Sequence, residues 1–513
     1  PDEDFPALVR QTTFKNTGRG PLKLDVLDGL AKLIPSGLTN IGEATMGRTL
    51  EAWMKVYNVG NGMGDSSRPF FHITQGTADT STVQLIKEGH FAVSYIEGDD
   101  EPVPFIVDPS IVFGTDTSLL NPKAFFDFKD DMKDFMDQTQ GTTARTPCAF
   151  AGTSLNIAPG ADITITTIFG HSPDLETFVG SIDGKVRAKG FAAEKRKAAI
   201  DLTEGIVQTV KTDTNLKLFD DYIKQDYLDN VLRGGLPLPL GEDKKIFHVY
   251  SRIHGDIERD YNDFQIDTSY FSQGPGNFRD VNQNRRLDVQ TNPLVGDFNV
   301  RNFLSFVQAD GYNPLTVAST NFRVYKKKMD EVLDGLKIVD EHNLGMRDNA
   351  KDILSRSYRP GKLFQDLKAG GIELGVDKET ALSVIVTGSE QVFAAQYAQN
   401  GFWTDHWTYT LDLIMSFLAV FPDREEWMLW DSEPVPFYMS PSFVKTRSDR
   451  YVLVDNPSNP GTKTVVVQMA VCGAGDPSGC YPSEREGTME HIWGADDYVG
   501  DGAAGGVWQR TDD

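Results

Sequence analysis

The chain has 513 residues, of which 39% are hydrophobic and 11% aromatic, and its formal net charge is -24. This composition is typical of a folded protein, and the length predicts two to four domains. The negative charge argues against nonspecific nucleic-acid binding and against docking on an anionic membrane, and it favours a neutral ligand such as a sugar. A membrane-spanning helix is not predicted, because the sequence contains no run of about 18 apolar residues.

The three cysteines match neither a disulfide framework nor a zinc-binding pattern. Cys472 and Cys480 bracket the segment GAGDPSG and would close a small loop if they were oxidised. Free thiols in a cytosolic protein are the preferred interpretation, since disulfides are rare in that compartment. We therefore expect a cytoplasmic protein.

The first third of the chain has the pattern of β structure. The runs HFAVSYIEG and PFIVDPSIVFG are predicted strands, and SLNIAPGADITITTIFGHS predicts two more with Pro159-Gly160 as the turn between them. ADITITTIF alternates apolar and polar residues with period two, as expected of a half-buried strand. Several short strands at close spacing predict a β-sandwich over residues 1–172.

Helical periodicity follows Pro173. A helical linker is predicted over 173–240, and Gly234-Gly235 would end its last helix, LKLFDDYIKQDYLDNVLRGG. Further helices are predicted for FRVYKKKMDEVLDGLKIVDEHN, KETALSVIVTGSEQVFAAQYAQNG and TLDLIMSFLAVF. The predicted fold class is therefore α+β and multidomain, with a large helical domain over 241–513.

Four stretches of this helical region combine aromatic with planar polar side chains. They are YSRIHGDIERDYNDF (250–264), GNFRDVNQNRRLD (276–288), DGYNPLT (310–316) and GFWTDHWTYTLDL (401–413). Carbohydrate sites use such residues, because aromatic faces cover the apolar face of a sugar ring while carboxylates, amides and guanidinium groups bind its hydroxyls.

Each stretch also has a structural interpretation. Arg259 and Asp260 belong to a charged segment that could be a surface ion-pair network. Trp403 and Trp407 lie four residues apart, which suits one face of a helix packed into a core. His406, between them, is either an acid–base group or a histidine held in place by hydrogen bonds. The functional interpretation gains because all four stretches fall within one predicted domain.

In their order along the chain and in their amino-acid sequences, these stretches resemble segments of the inverting β-glucan phosphorylases. This is the group around cellobiose phosphorylase and the β-1,3-glucan (laminarin-type) phosphorylases. HGDIERDYNDF, NFRDVNQNRR and GFWTDHWTYTLDL are most similar to the β-1,3-glucan branch. VDPSIVFGTDTSLLNPKAFF and SLNIAPGADITI resemble the family's N-terminal β-sandwich, and FDDYIKQDYLDNVLRGG resembles its linker. The resemblance implies a β-sandwich, a helical linker and an (α/α)6-barrel catalytic domain, the barrel incomplete in this chain.

The resemblance also implies site residues. Asp280 matches the aspartate of the family's Phe-Arg-Asp motif, which binds hydroxyls of the sugar whose bond is cut, and Arg279 would orient that carboxylate. An arginine that the cellobiose enzymes carry six residues earlier is Gly274 here. The candidate substrate-binding residues are Arg259, Asp260, Arg279, Asp280, Gln283, Arg286, Trp403, Asp405, His406 and Trp407.

The implied reaction is reversible inverting phosphorolysis of a β-1,3-glucan or oligosaccharide to α-glucose 1-phosphate. Phosphate is the nucleophile, so one acid suffices where an inverting hydrolase needs two carboxylates. Cationic groups must hold the phosphate dianion. The implied partners are a β-glucan, phosphate and further copies of the chain in a homo-oligomer, with neither a metal nor an organic cofactor.

The family's general acid is the aspartate of a Trp-x-Asp motif that comes well after the segment matching 401–413. No such motif occurs in that context, and the surroundings of Trp493, with Asp496 and Asp497, and of Trp430-Asp431 do not match it. The phosphate-binding residues are likewise expected beyond Asp513.

Three explanations are open. The acid could lie on a companion chain, which is favoured because half a barrel would expose a large apolar face. It could lie on a further segment of the same chain, or be lost in a non-catalytic glucan-binding or scaffold subunit. A glycoside hydrolase is a less favoured hypothesis. An inverting hydrolase needs two carboxylates roughly 6.5–9.5 Å apart around a water molecule, and the sequence does not show such a pair.

Overall fold

A computed structural model describes most of the chain up to residue 432 and scattered strands beyond it. The described residues are 3–38, 40–59, 67–76, 85–99, 101–249, 270–272, 276–307, 313, 316–317, 320–339, 345–396, 405–432, 437–439, 442–443, 451–456, 458–467, 471–472, 488–492 and 507–509. The chain divides into two compact units, Pro1–Thr203 and Glu204–Asp513. The boundary between them falls inside the predicted linker.

The first unit contains eight strands in its described residues. These strands are β1 (Ala7–Lys15), β2 (Leu22–Leu30), β3 (Met54–Val59), β4 (Ser67–Ile73), β5 (Gly89–Ile96), β6 (Phe105–Ile106), β7 (Ala149–Ile157) and β8 (Asp162–Ser172). They form two antiparallel sheets, one of order β1-β8-β5-β4-β3 and one of order β2-β7-β6. Consecutive strands β7 and β8 belong to different sheets, and Gly160 in the turn between them has φ +74°, a conformation that favours glycine.

Side chains from both sheets share two of the apolar clusters of this unit. Phe71 of β4 and Ala92 of β5 cluster with Phe105 of β6 and Ala151 of β7. A second cluster joins Leu155 and Ile157 to Ile165 of β8. Residues on the two sheets are therefore removed from water together, which is the main driving force for their association.

The strand predicted at ADITITTIF exists, but the prediction that it is half-buried is wrong. The centre of β8 is buried on both faces. Its polar residues are accommodated by hydrogen bonds: the Thr167 hydroxyl donates to Asp28 Oδ2 at 2.9 Å, and Thr166 donates to Glu97. The period-two alternation predicted the strand correctly. The burial of its polar residues depends on hydrogen-bond partners in other parts of the chain, which the alternation does not report.

Short helices interrupt the strands. They are α1 (Asn40–Met46), α2 (Arg48–Glu51), α3 (Pro109–Phe113), α4 (Lys123–Asp127) and α5 (Met132–Met136), and they are followed by α6 (Leu175–Thr177), α7 (Asp183–Val186) and α8 (Phe191–Val207). The predicted strand PFIVDPSIVFG ends after Ile106 and continues as α3. Asp108 is the reason, because its side chain accepts the Ser110 amide at 3.0 Å while Pro109 occupies the first helical position.

The second unit begins within α8 and contains most of the helices. These are α9 (Lys217–Gly234), α10 (Phe278–Arg285), α11 (Asp288–Thr291), α12 (Phe298–Leu304), α13 (Met329–Leu336), α14 (Met346–Leu354), α15 (Pro360–Ala369), α16 (Lys378–Thr387) and α17 (His406–Val420). The helices predicted at LKLFDDYIKQDYLDNVLRGG and TLDLIMSFLAVF are confirmed as α9 and α17. Gly235 follows α9 with φ +102°, which supports the predicted helix end.

This unit also contains strands that sequence patterns did not predict. They are β9 (Leu236–Leu240), β10 (Lys245–Val249), β11 (Gly276–Asn277), β12 (Thr316–Val317), β13 (Asn321–Val324), β14 (Ser389–Gln396), β15 (Phe437–Met439), β16 (Ser442–Phe443), β17 (Tyr451–Asp455), β18 (Lys463–Val467), β19 (Val471–Cys472), β20 (Thr488–Ile492) and β21 (Val507–Gln509). β9 pairs with β10, and β14 pairs with β12, β13 and β20. The remaining pairs are β11 with β12, β15 with β21, β16 with β19, and β17 with β18.

The prediction of one long helix at KETALSVIVTGSEQVFAAQYAQNG is wrong for the second half of this segment. The helix ends at Thr387 and β14 begins at Ser389. Gly388 lies between them, where any side chain would clash with Val332. FRVYKKKMDEVLDGLKIVDEHN likewise starts as the strand β13 before α13 begins. In both places pairing with a strand distant in sequence overrides the local pattern.

Two apolar clusters support the second unit. One contains Phe278, Phe303, Leu413 and Phe417 and joins α10, α12 and α17. The other is built on α13 to α16, with Phe322 of β13 packed against it. The first cluster fixes the helices that carry the candidate site, and the second is formed by helices that carry none of the candidate residues.

The molecule is thus a mixed α and β protein with antiparallel sheets, in agreement with the predicted class. Among the described residues no helix is both long enough and apolar enough to cross a membrane. The predicted domain limits at residues 172 and 240 stay predictions, as does the cytoplasmic location. Cys148 is a buried free thiol, Cys472 lies in β19, and Cys480 and Gly274 lie outside the described residues.

Candidate functional site

Three of the four polar-aromatic stretches meet in the second unit. Phe278 at the start of α10 stacks on His406 at the start of α17, with their ring centroids 4.6 Å apart. The His406 Nδ1 atom lies 2.6 Å from the Oδ1 atom of Asn313, which belongs to the stretch 310–316. The first turns of two helices and one loop residue thus come together, although they are far apart in sequence.

The sequence of α10 explains which side chains face the core. Phe278, Val281, Asn282 and Arg285 are buried and follow the spacing of one helix face. Arg279, Gln283 and Arg286 are only partly buried. The polar residues of this stretch are therefore divided between a buried face and a partly exposed one.

Arg279 and Asp280 form the charged centre of this arrangement. The Arg279 Nε atom donates to Asp280 Oδ1 at 2.9 Å, and this bond is the main reason that the pKa of Arg279 is raised. Asp280 is 7% exposed, and its second oxygen, Oδ2, is buried without a hydrogen-bond partner in the described structure. A buried carboxylate oxygen without a donor is costly, so it is a natural acceptor for a ligand hydroxyl or a water molecule.

Asp405 presents a second oxygen of this kind. It occupies the N-cap position of α17, and its side chain makes no capping hydrogen bond there. Its Oδ1 atom is buried and, within the described part of the chain, unpartnered. Asp405 also acts electrostatically on Arg279 and on His406. Two acceptor oxygens are thus associated with one guanidinium group.

His406 is held in place and is neutral near pH 7. The pKa of His406 is lowered to about 4, chiefly by burial and to a smaller extent by the nearby Arg279, whereas Asp405 and Asp280 act in the opposite direction. Because Asn313 Oδ1 is an acceptor, His406 Nδ1 carries the proton and donates. This geometry favours the interpretation of a histidine fixed by hydrogen bonding over that of a free acid–base group.

Two further residues belong to the site and were not among the predicted ones. Asn313 fixes His406, as described above, and Thr410 accepts from the Asn282 side-chain amide at 3.2 Å. The signal for Asn313 was present, since it lies in a stretch that composition already singled out. Thr410 likewise lies in the stretch 401–413, but its role depends on α10 packing against α17.

The other candidate residues are distributed differently. Arg286 Nη1 lies 3.5 Å from Asp412 Oδ2, Gln283 is half-buried on α10, and Trp407 is 48% exposed on α17. The exposure of Trp407 speaks against a core role for it. Arg259, Asp260 and Trp403 lie outside the described residues, as does the whole stretch 250–264.

The chemistry available here is the acceptance and donation of hydrogen bonds. Asp280 and Asp405 supply buried acceptors, Arg279 supplies a cation, and Trp407 supplies an exposed aromatic face. In the described ranges no group of three or more His, Cys, Asp or Glu side chains is arranged to hold a metal ion. Such a set suits a polar ligand that carries several hydroxyl groups.

Comparison of the chain with known proteins gives no family: no protein-family model matches it, and no curated protein matches it.

Proposed function

We propose that the chain binds a β-1,3-glucan or its oligosaccharides at the Arg279–Asp280–Asp405 site and takes part in their inverting phosphorolysis to α-glucose 1-phosphate. The general acid and the phosphate-binding residues would lie on a companion chain or on a further segment. The same proposal includes the finer architecture, a β-sandwich in the first unit and part of an (α/α)6 barrel in the second.

One observation carries the binding part of the proposal. The Asp280 Oδ2 and Asp405 Oδ1 atoms are buried and have no donor among the described residues, while Arg279 occupies the other oxygen of Asp280. A protein rarely leaves buried carboxylate oxygens unsatisfied, and such exceptions often mark a functional site. Sugar hydroxyls are donors that would satisfy both oxygens, and an Arg–Asp pair is a common means of binding them.

The catalytic part of the proposal rests on the resemblance of NFRDVNQNRR and GFWTDHWTYTLDL to the β-1,3-glucan phosphorylases. Phosphorolysis needs one proton donor for the leaving oxygen and a cationic site for phosphate. The neutral His406 and the carboxylates of Asp280 and Asp405 favour a neutral ligand over a phosphate dianion at this position. We therefore assign sugar binding, and not phosphate binding, to this site.

The test begins with binding and then measures turnover. We expect laminaripentaose to bind the chain in isothermal titration calorimetry, and Asp280→Asn to weaken that binding by about tenfold to a hundredfold, because a charged hydrogen bond contributes about 1.5–3 kcal/mol. The matched control is Asp366→Asn, which removes an exposed carboxylate that pairs with Lys362 in α15. This control should bind as the wild type does.

The outcomes separate the two functions. Release of α-glucose 1-phosphate from laminaripentaose and phosphate, detected by NMR of the complete native complex, would support the phosphorylase. Binding without any turnover in that complex would favour a non-catalytic glucan-binding subunit. Absence of binding to every β-glucan tested, or wild-type binding and turnover by Asp280→Asn, would contradict the proposal.

A further inference from the structure

A second buried polar network lies at the other end of α10 and contains none of the residues predicted from the sequence. Asp288, at the start of α11, accepts the His248 Nε2 atom at 2.8 Å and the Asn299 side-chain amide at 2.9 Å. Asp288, His248 and Asn299 are all buried. The network therefore ties β10, α11 and α12 together through a single carboxylate oxygen, Oδ2.

The same network holds the C-terminal end of α10. The Asn299 amide also donates to the Arg285 carbonyl at 3.3 Å, in the last turn of the helix, where carbonyls lack an intrahelical donor. The Arg285 guanidinium lies over the Phe303 ring at 5.9 Å. The end of α10 is thus fixed by a side chain of α12, which is in turn oriented by Asp288.

Stability alone does not explain a buried network of this composition. Burying charged groups is costly, and apolar residues of similar volume often stabilise a core equally well or better. Directional hydrogen bonds do, however, restrict a helix to one position and one rotation, which apolar packing does less strictly. Because α10 is short, from Phe278 to Arg285, fixing its last turn also fixes its first.

We propose that Asp288 is a positioning residue, which, through Asn299 and the end of α10, holds Arg279 and Asp280 at the start of the helix where they face the ligand. This inference rests on the proposed function for its effect on binding, but not for its effect on the position of α10. Asp288 does not touch the ligand; its influence passes through the backbone of α10.

Hydrogen exchange tests the structural half of this inference without any ligand. Asp288→Asn replaces an ionised acceptor by a neutral amide oxygen, so the hydrogen bonds from His248 and Asn299 become weaker. We expect faster backbone exchange in residues 278–285 and unchanged exchange in α13, which belongs to the other apolar cluster. Asn299→Ala should produce the same pattern, and it serves as the second variant if Asp288→Asn does not fold.

Ligand binding tests the functional half. We expect Asp288→Asn to weaken laminaripentaose binding by about tenfold, while the double variant Asp288→Asn/Asp280→Asn binds no more weakly than Asp280→Asn alone, because residues that act through one another are not additive. Additive losses would overturn the positioning role, since a general loss of stability would add to the effect of Asp280→Asn.

Failure of the inference and failure of the proposed function are distinguishable. If the wild-type protein binds no glucan, the proposed function is wrong, and hydrogen exchange still decides whether Asp288 fixes α10. If the wild type binds and both Asp288→Asn and Asn299→Ala leave exchange in residues 278–285 unchanged, the inference is wrong while the proposed function stands.

Discussion

Asp28 in the first unit and Asp280 in the second are both buried carboxylates, but they differ in how many of their oxygens accept hydrogen bonds within the described structure. Asp28 is 3% exposed, and both of its oxygens have donors: Arg10 at 2.8 Å and Thr12 at 3.2 Å on Oδ1, and Thr167 at 2.9 Å on Oδ2. Asp280 is 7% exposed, yet among the described residues only its Oδ1 atom has a donor, Arg279. The residue type and the depth are alike, and the difference lies in the one unsatisfied oxygen.

The comparison shows how a structural carboxylate can be told from a binding one. A carboxylate that joins two sheets must satisfy both oxygens within the protein, because no ligand will ever do so. A carboxylate that binds a ligand keeps one oxygen for it and is less well satisfied without it. On this criterion we expect Asp28 to contribute to stability and Asp280 to bind the proposed ligand at some cost in stability.

The largest effect is expected for Asp28→Ala. Removing this carboxylate leaves two threonine hydroxyls without their acceptor and Arg10 without its ion pair. We expect the free energy of unfolding to fall by about 4 kcal/mol, because each of the two hydroxyls that lose their acceptor costs about 1–3 kcal/mol, whereas Arg10 is 46% exposed and can be hydrated. Urea denaturation followed by circular dichroism would measure this loss, and a loss below about 1 kcal/mol would remove the basis of the comparison.

The next largest effect is a loss of stability in acid, to which His248 of the second unit contributes. Asp288 has a histidine donor, His248, which gains a proton and a charge in acid, whereas the donors to Asp28 are an arginine and two threonines, whose charges do not change between pH 4 and 7. Burial, with the charge of Arg285 as the next cause, lowers the pKa of His248 from 6.5 to about 4. The unfolded chain therefore binds more protons than the folded chain between these values, so stability falls as the pH is lowered from 6.5 towards 4.

The size of this loss follows from the same pKa values and is about 3 kcal/mol for His248. The measurement is the free energy of unfolding at pH 7 and at pH 4.5. His248→Gln, which cannot take up a proton, should reduce the difference between the two pH values. Equal differences in the variant and the wild type would show that His248 is not the group responsible.

A smaller effect on stability is expected for Asp280→Ala, and this sharpens the comparison most directly. The change removes one bond from Arg279, whose side chain is partly exposed and can be hydrated instead. It also removes a buried oxygen that had no donor among the described residues. We expect a change of about 1 kcal/mol or less in urea denaturation, while glucan binding is lost. A loss as large as that of Asp28→Ala would make Asp280 a structural residue.

The elements that could be predicted from the sequence are those governed by local patterns. The helix α9 and its glycine end, the helix α17 and the turn at Pro159-Gly160 depend on periodicity and on backbone preferences near the residues themselves. The strand β14 could not be predicted, because its partners β12 and β13 lie more than 60 residues earlier in the chain. The site shows the same division between local and distant determinants.

Composition directed attention to three stretches that come together in the structure, but not to the interactions between them. Arg279 and Asp280 were predicted as neighbours, and their bond needs nothing from elsewhere. The role of Asn313 depends on a contact with His406, 93 residues away, and that of Asp288 depends on His248 and Asn299. No periodicity reports such contacts, since tertiary packing alone brings these side chains together.

The smallest effect is expected at the outer face of α10, where Arg286 pairs with Asp412. Their closest atoms are 3.5 Å apart, and the two side chains are 43% and 34% exposed, so water competes with the pair and salt screens it. We expect Asp412→Asn to lower the free energy of unfolding by less than about 0.5 kcal/mol. If Arg286 binds the glucan without help from Asp412, the laminaripentaose affinity of Asp412→Asn should equal that of the wild type. Arg286→Gln should reduce this affinity. If Asp412→Asn instead lowers the affinity for laminaripentaose, and this loss disappears in 0.5 M salt, then Asp412 orients Arg286. The group that binds the glucan would in that case be the exposed Arg286–Asp412 pair and not Arg286 alone.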